Sequence, residues 1–454
     1  MKSKLLLSIV VVTLMSSCKL GHKFSQPDLY LPQSIDTMQV EEASIADMQW
    51  WQIYTDTTLQ ALINKTLENN KDLKIAAARI AQMAAMKRID NANMLPQLNG
   101  NIYAQKEALN YGGDHYKNDP EAGIKATITW EADLWGNLRW ARDKGIAQYL
   151  ESVENRRALT VSIIAQVAQS YFELVALDNE LAIVRRTLNA RKEGVRLAKL
   201  RFEGGLTSET PYQQAQVEYA KTATHIPVLE RDITLKENEI AFLAGEYPSH
   251  IERVREPSTI LLPESLPIGL PSTLLERRPD IRAAEQKLIA ANAAVGVAYT
   301  NMFPRLSLTA TGGVESDDFS NLFKSPMYYL SSNLLGPILD MGRRRSAYKA
   351  QIAAYEQECY SYEKSVLTAF KEARNAIVDF NKVKEIHESM VQLERSAKTT
   401  MDIAQLQYIN GVIGYIDVLD AQRSYFDAQI GLSNAVCSKQ LALVQLYKAL
   451  GGGW

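Results

Sequence analysis

The sequence predicts a mainly α-helical protein with a small β part, built on an internally duplicated unit. Three observations carry this: few chain breakers, a heptad apolar pattern, and a repeat about 206 residues apart. Gly (23) and Pro (15) make up about 8% of the 454 residues, against roughly 12% in an average chain. The elements between turns must therefore be long. Arg343 to Asn410 holds neither Gly nor Pro across 68 residues, and one helix of that length would extend roughly 100 Å. From Asn137 to Glu203 only Gly145 and Gly194 intervene. Helices this long need coiled-coil partners or equally long neighbours.

The elements follow in order. Met1-Lys-Ser-Lys is a basic start, and Leu5 to Met15 is apolar but too short to span a bilayer as a helix. Ser16-Ser17-Cys18 resembles a bacterial lipobox, with Met15 where Leu is usual. Residues 1–17 then read as a signal peptide, Cys18 as a lipidated cysteine and 18–56 as an N-terminal strap. The first repeat, 57–245, reads as helix, two strands, a very long helix, a tight turn and a shorter helix. Its first helix is expected over Thr57–Asn93, ended by Pro96, and Pro227 should kink its last. The segment 246–271 carries Pro248, Pro257, Pro263, Pro267 and Pro271 and joins the halves. The second repeat, 272–454, runs the same course, its first helix from near Ser272 to Pro304.

The repeat is visible residue by residue. Phe202 matches Tyr408, Gly205 matches Gly411, Ala215-Gln216 matches Ala421-Gln422, and Gly245 matches Gly451, all 206 apart. Upstream the offset is 208, pairing Asp72 with Asp280 and Pro96 with Pro304. Within the long helices, Ile163, Val167, Ser170, Leu174, Leu177, Leu181, Val184 and Leu188 keep a 4-3 spacing, continued at Val195, Ala198 and Phe202. Tyr348, Ile352, Tyr355, Cys359, Tyr362, Val366, Ala369 and Ala373 do the same. That period makes a left-handed supercoil seam.

Four short runs alternate apolar and polar residues. Leu98, Gly100, Ile102 and Ala104 alternate with Asn99, Asn101 and Tyr103. Ile124, Ala126, Ile128 and Trp130 oppose Lys125, Thr127, Thr129 and Glu131. Leu306, Leu308 and Ala310 oppose Arg305, Ser307 and Thr309; Met327 to Leu335 alternates poorly. Period two over about ten residues fits a strand with one greasy and one wet face. Such strands suit a soluble two-sided sheet or a membrane barrel. Four strands cannot close, so the membrane reading demands an oligomer: eight strands in a dimer, twelve in a trimer. Asn110–Pro120 and Glu315–Phe323 read as polar hairpin loops.

Much chemistry is excluded. Fifty basic and 52 acidic residues nearly cancel, which argues against nucleic-acid binding. No zinc-protease His pair, Walker loop, dinucleotide fingerprint or nucleophile elbow appears. No catalytic site, metal or cofactor is therefore expected. After the N-terminus no run of 18 apolar residues occurs, which argues against a helical membrane span. Cys359 and Cys437 lie in helical runs, as buried free thiols or as a pair.

The helical hairpin tips are Gly204-Gly205-Leu206-Thr207 and Gly411-Val412-Ile413-Gly414, where small residues permit sharp reversal. After the second tip, Ile416, Asp420 and Arg423 fall at i, i+4 and i+7 on one face, with Asp417 beside them. One reading is local: carboxylates complementing the helix dipole and paired with Arg423. The other is a gate. The counterparts 206 residues earlier are Thr210, Gln214 and Val217, none charged. A generic capping device would recur in both halves. Charge in one half alone predicts a ring built once per protomer, narrowing one end of a tube and held by inter-protomer ion pairs.

Several stretches together resemble the outer membrane factors of bacterial tripartite efflux pumps, TolC-like proteins, in their lipoprotein branch associated with RND-type pumps. They are Trp50-Trp51 with Asp56, Leu59 and Leu62; Leu275-Glu-Arg-Arg-Pro-Asp-Ile281 with Ala284-Glu285 and Phe303-Pro304; Leu419-Asp-Ala-Gln-Arg-Ser424; and the terminal Tyr447-Lys-Ala-Leu-Gly-Gly-Gly-Trp454. The chain departs from that family at Gly21-His22-Lys23-Phe24, where Gly-Pro-Asp-Tyr is usual. The resemblance implies a homotrimer with a shared 12-stranded β-barrel in the outer membrane, joined to an α-helical barrel in the periplasm. It implies that Ile416, Asp417, Asp420 and Arg423 close the periplasmic aperture. It also implies that the tips meet a periplasmic adaptor (membrane fusion protein) coupled to an inner-membrane RND transporter. The expected function is a passive exit duct for small molecules such as drugs, lipid-anchored to the outer membrane. Polypeptide secretion, or a lipid-tethered periplasmic coiled-coil scaffold without a channel, are the alternatives.

Overall fold

The computed structural model describes residues 19–28, 48–109, 112, 117–253 and 271–452. The expected signal peptide and Cys18, most of the 110–116 loop and residues 254–270 lie outside the described residues.

The chain begins with α1 (Trp50–Ile53), α2 (Thr57–Asn69) and α3 (Lys71–Ala92), then β1 (Gln97–Leu109) and β2 (Lys117–Ala132). Helices α4 (Asn137–Glu203) and α5 (Thr210–Leu243) complete the first repeat. The second has α6 (Pro271–Arg277), α7 (Pro279–Thr300), β3 (Arg305–Ser316), β4 (Pro326–Leu335), α8 (Arg343–Ile409) and α9 (Tyr415–Ala449). The long helices α4 and α8 have 67 residues each. Helix α5 continues through Pro227.

The single first helix expected in each repeat is two helices. The breaks fall at Asn70 and Arg278, which are 208 residues apart. Asn70 turns extended at ψ 131°, and its amide donates to the Leu243 carbonyl at 2.8 Å. Arg278 precedes Pro279, which disfavours helix at the residue before it. Its guanidinium donates to the Ala449 carbonyl at 3.1 Å and to Asp280 and Glu372 at 2.7 Å. Leu243 and Ala449 close the shorter helices. Each break thus tethers the same helix end in its own repeat, which a continuous helix could not do.

Four helix ends carry one device. Leu206 N–H reaches the Arg201 carbonyl (2.8 Å) while Gly205 N–H reaches Phe202 (2.9 Å). Val412 and Gly411 repeat this on Gln407 (2.8 Å) and Tyr408 (3.0 Å). Glu246 with Gly245, and Gly452 with Gly451, do so at the ends of the shorter helices. This paired pattern needs a left-handed residue at its centre. Gly205, Gly245, Gly411 and Gly451 have φ of 73°, 73°, 74° and 83°. The matching glycines of the repeat are these caps.

The chain divides into two compact units that cut across the repeats: residues 1–29, 78–154 and 282–364, and residues 30–77, 155–281 and 365–454. The second holds the main core. There Val167, Leu174 and Val184 of the α4 seam are buried with Leu59, Ile63, Ile240, Ala373 and Ile377. Helix α4 contains an 18-residue window of membrane-like mean hydropathy, though no unbroken apolar run. Of that window 56% is buried within the protein, so its apolar residues serve the core.

The first unit holds an antiparallel sheet in the order β1-β2-β3-β4. The poorly alternating fourth run is a full strand, paired from Arg305↔Leu335 to Val314↔Pro326. The second hairpin loop is not simply polar. It holds a 3₁₀ helix, Phe319–Lys324, with Phe319 and Phe323 exposed and Leu322 buried. Cys359 and Cys437 are both free.

Candidate functional site

The sheet forms a wall with two faces. Directly paired residues share a face, so the register places Leu98, Ile128, Ala310 and Leu330 in one row. Ile102, Ile124, Val314 and Pro326 make another on the same side. This apolar face is open: Ile102 is 80% and Leu330 75% exposed. The opposite face carries the row Asn99, Thr127, Thr311 and Tyr329, with Thr127 and Thr311 hydroxyls 3.0 Å apart. Lys125 pairs with Glu315 at 2.9 Å across β2 and β3. Tyr103 lies over Gly123, where a Cβ would meet its ring, and donates to Glu121. A soluble sheet covers its apolar face, whereas among the described residues this one leaves large apolar side chains exposed on β1, β2 and β4, with those of β3 half-buried between them.

The strap docks beside it. Leu20 N–H donates to the Trp135 carbonyl (3.1 Å), and Trp140 Nε1 donates to the Leu20 carbonyl (2.6 Å). Lys19 stands 3.3 Å over the Trp140 ring and pairs with Asp143. Lys19 and Leu20, directly after Cys18, are thus pinned to Trp135 and to Trp140 and Asp143 of α4.

The second unit contains both tips and the charged face. Leu206 and Val412 at the tips are 72% and 69% exposed. Asp417 accepts the Gly414 N–H at 2.9 Å, so it caps α9 as its first-turn position suggested. Arg423 and Asp420 do meet, Nη1 to Oδ1 at 2.8 Å. The stronger partner is one the sequence reading missed. Arg423 Nε and Nη2 both donate to Glu218 Oε1, at 3.0 and 2.7 Å. Glu218, on α5, is buried, and Arg191 Nη1 on α4 lies 3.1 Å from its other oxygen. Arg191 also donates to the Glu218 carbonyl (2.9 Å) and to Thr222, and sits over the Phe426 ring. Within one chain Arg423 thus has two carboxylate partners, Glu218 and Asp420. Ile416 is half-exposed, and Asp420 stays open to solvent.

Electrostatics follow from this geometry. Burial pushes the Glu218 carboxyl up, but Arg423 and Arg191 overcome it and hold it below its ordinary range. The hydrogen bond to Glu218 in turn raises Arg423. Two signals in the sequence could have found this network. Arg191 interrupts an apolar seam three residues after Leu188, and Glu218 lies 27 residues later on the antiparallel helix.

Comparison with known proteins agrees with this layout. The family model for the outer membrane efflux protein matches residues 62–246 and 270–452. The outer membrane protein OprJ of Pseudomonas aeruginosa is 31% identical over 98% of this chain and 95% of its own. The solvent efflux pump outer membrane protein SrpC of Pseudomonas putida is 30% identical over 99% and 98%. The crystal structure of the CmeC outer membrane channel of Campylobacter jejuni superposes with a TM-score of 0.89 at 25% identity, covering 96% and 95% of the two chains. The chain is an outer-membrane efflux channel and belongs to the outer membrane efflux protein family.

Proposed function

We propose that three copies of this chain close their sheets into one 12-stranded barrel and form a passive exit duct for small molecules. The observation that carries this is the apolar face of the sheet, exposed on β1, β2 and β4 and half-buried on β3, in a sheet with β1 and β4 as its edges. An exposed edge strand in lipid is untenable, so the sheet must close on further copies. Cys18, directly before the docked Lys19, supplies a lipid anchor. The tips Gly204-Gly205-Leu206-Thr207 and Gly411-Val412-Ile413-Gly414 dock a periplasmic adaptor, and that adaptor couples the duct to an inner-membrane transporter of the RND type. Ile416, Asp420 and Arg423 form the periplasmic iris, Asp417 caps their helix, and Glu218 with Arg191 holds Arg423. No energy-coupling motif is present, so opening comes from partner contact.

The test is conductance in planar bilayers of the purified Cys18→Ser protein. Discrete channels from a detergent-resistant, heat-modifiable oligomer support the duct. No conductance, with a protein that stays soluble without detergent, would return the sheet to a soluble scaffold.

A further inference from the structure

A cleft of about 930 Å³ lies in the first unit, formed by α3, α4, α7, α8 and the start of β3. Its cations are Lys144, Arg305, Arg343 and Arg344; Asp90 is the one carboxylate among the described residues lining it. Two of the arginines are positioned. Arg344 donates to the Asn301 carbonyl and lies 3.8 Å from Asp340, and Arg305 donates to Asn301 Oδ1 at 2.7 Å. Arg305 also lies 3.9 Å from Glu131. Burial pushes the Asp90 carboxyl of the same cleft up, and Lys144 draws it down against that.

The strand register shows which side the cleft opens on. Arg305 belongs to the odd-numbered face of β3, with Ser307, Thr309 and Thr311. That is the polar face, opposite Leu306, Leu308 and Ala310. Arg305, the strand residue that lines the cleft, is thus on the water-facing side of the sheet. In the duct proposed above, on which this inference rests, the polar face is the lumen.

We infer that Lys144, Arg305, Arg343 and Arg344 make a positively charged stretch of duct wall beside the barrel, which concentrates anionic solutes bearing carboxylate or phosphate groups. Three copies place twelve such cations around one passage. Charges on the walls of a confined, low-dielectric cleft focus the field and raise the local concentration of counter-ions. The cluster attracts by charge, without a shaped pocket, so it serves passage and not tight binding. The opposite sign at Asp420 leaves the two parts of the duct wall electrostatically distinct.

The test reads the local potential directly, at a place independent of the iris. Ala347 lines the same cleft. In a Cys359→Ser background, Ala347→Cys provides a thiol, and its modification by an anionic and a cationic methanethiosulfonate of similar size is timed. The anionic reagent is expected to react about tenfold faster than the cationic one at low salt, an excess that collapses near 1 M salt. Lys144→Gln/Arg343→Gln is expected to cut the ratio at least threefold while the oligomer still assembles and forms channels; Lys144→Arg retains the ratio. A ratio at or below one, or a ratio untouched by the double substitution, overturns the inference. So does a thiol that neither reagent reaches in a conducting channel. Loss of conductance in every variant, with the reagent ratio intact in detergent, would instead overturn the duct.

Discussion

The two helical hairpin tips share a backbone and differ in charge. Both turn through the same pair of hydrogen bonds around a glycine, Gly205 at φ 73° and Gly411 at φ 74°. Beyond the turns the likeness ends. Asp420 and Arg423 of the second repeat stand where the first has Gln214 and Val217. Conversely, Arg191, Glu218 and Thr222 of the first stand where the second has Ala397, Ser424 and Ala428. The buried post and the exposed arm of one charge network were thus divided between the copies. Duplication kept what the backbone needs and let side chains specialise. Asp420, at the outer end, is open to solvent, while Arg191 and Glu218 are buried together.

The comparison is broken most severely by removing the post. Glu218→Ala strands Arg191 in a buried site, and losing one member of a buried pair costs about 3–5 kcal/mol. A markedly lower unfolding midpoint and a larger single-channel conductance are expected. Ser424→Ala, at the matching place in the other repeat, should change neither.

Gly205→Ala and Gly411→Ala should cost alike, roughly 1–2 kcal/mol each for a left-handed alanine. A Cβ meets nothing within 4 Å at either site, so the cost is conformational alone. Unequal losses of thermal stability would show that the two tips are not the same device.

Acid sharpens the contrast. The Glu218 carboxyl is held below its ordinary value of 4.5 by Arg423 and Arg191 against burial. A depressed carboxylate contributes fully above that ordinary value and is lost as pH falls through its folded value. Lys221, Tyr415 and Asp420 also face the network. Conductance should therefore stay constant from neutral pH to about 5 and rise only in stronger acid. A rise near pH 6 to 7 would point to a different titrating group.

The smallest effect on stability is expected at Asp420, whose side chain is 65% exposed. Asp420→Asn should cost about 0–1 kcal/mol, as for surface pairs. Its effect should appear in conductance and ion selectivity instead.

Much of this molecule was legible as sequence because long helices, caps and amphipathic strands are local patterns. The 67-residue helices and the turn glycines fall where breakers and periodicity place them, and so do the cores of the first three strands; β2 and β3 reach into the expected loops at 117–120 and 315–316, and the fourth strand shows no clear alternation. The breaks at Asn70 and Arg278 were missed because their cause is tertiary: each side chain reaches the end of a helix at least 171 residues away. Glu218 was missed for a related reason. Comparing each charged residue with its repeat counterpart cannot reveal a partner at a non-equivalent position. Phe319 and Phe323 sit in a 3₁₀ turn too short for any period to announce.

If the second repeat alone narrows the duct, single-channel conductance should separate Asp420→Ala/Arg423→Ala from Gln214→Ala/Val217→Ala, the same two positions in the other repeat. A several-fold rise is expected for the first pair and wild-type conductance for the second. Equal conductance in both, whether raised or unchanged, would contradict this expectation.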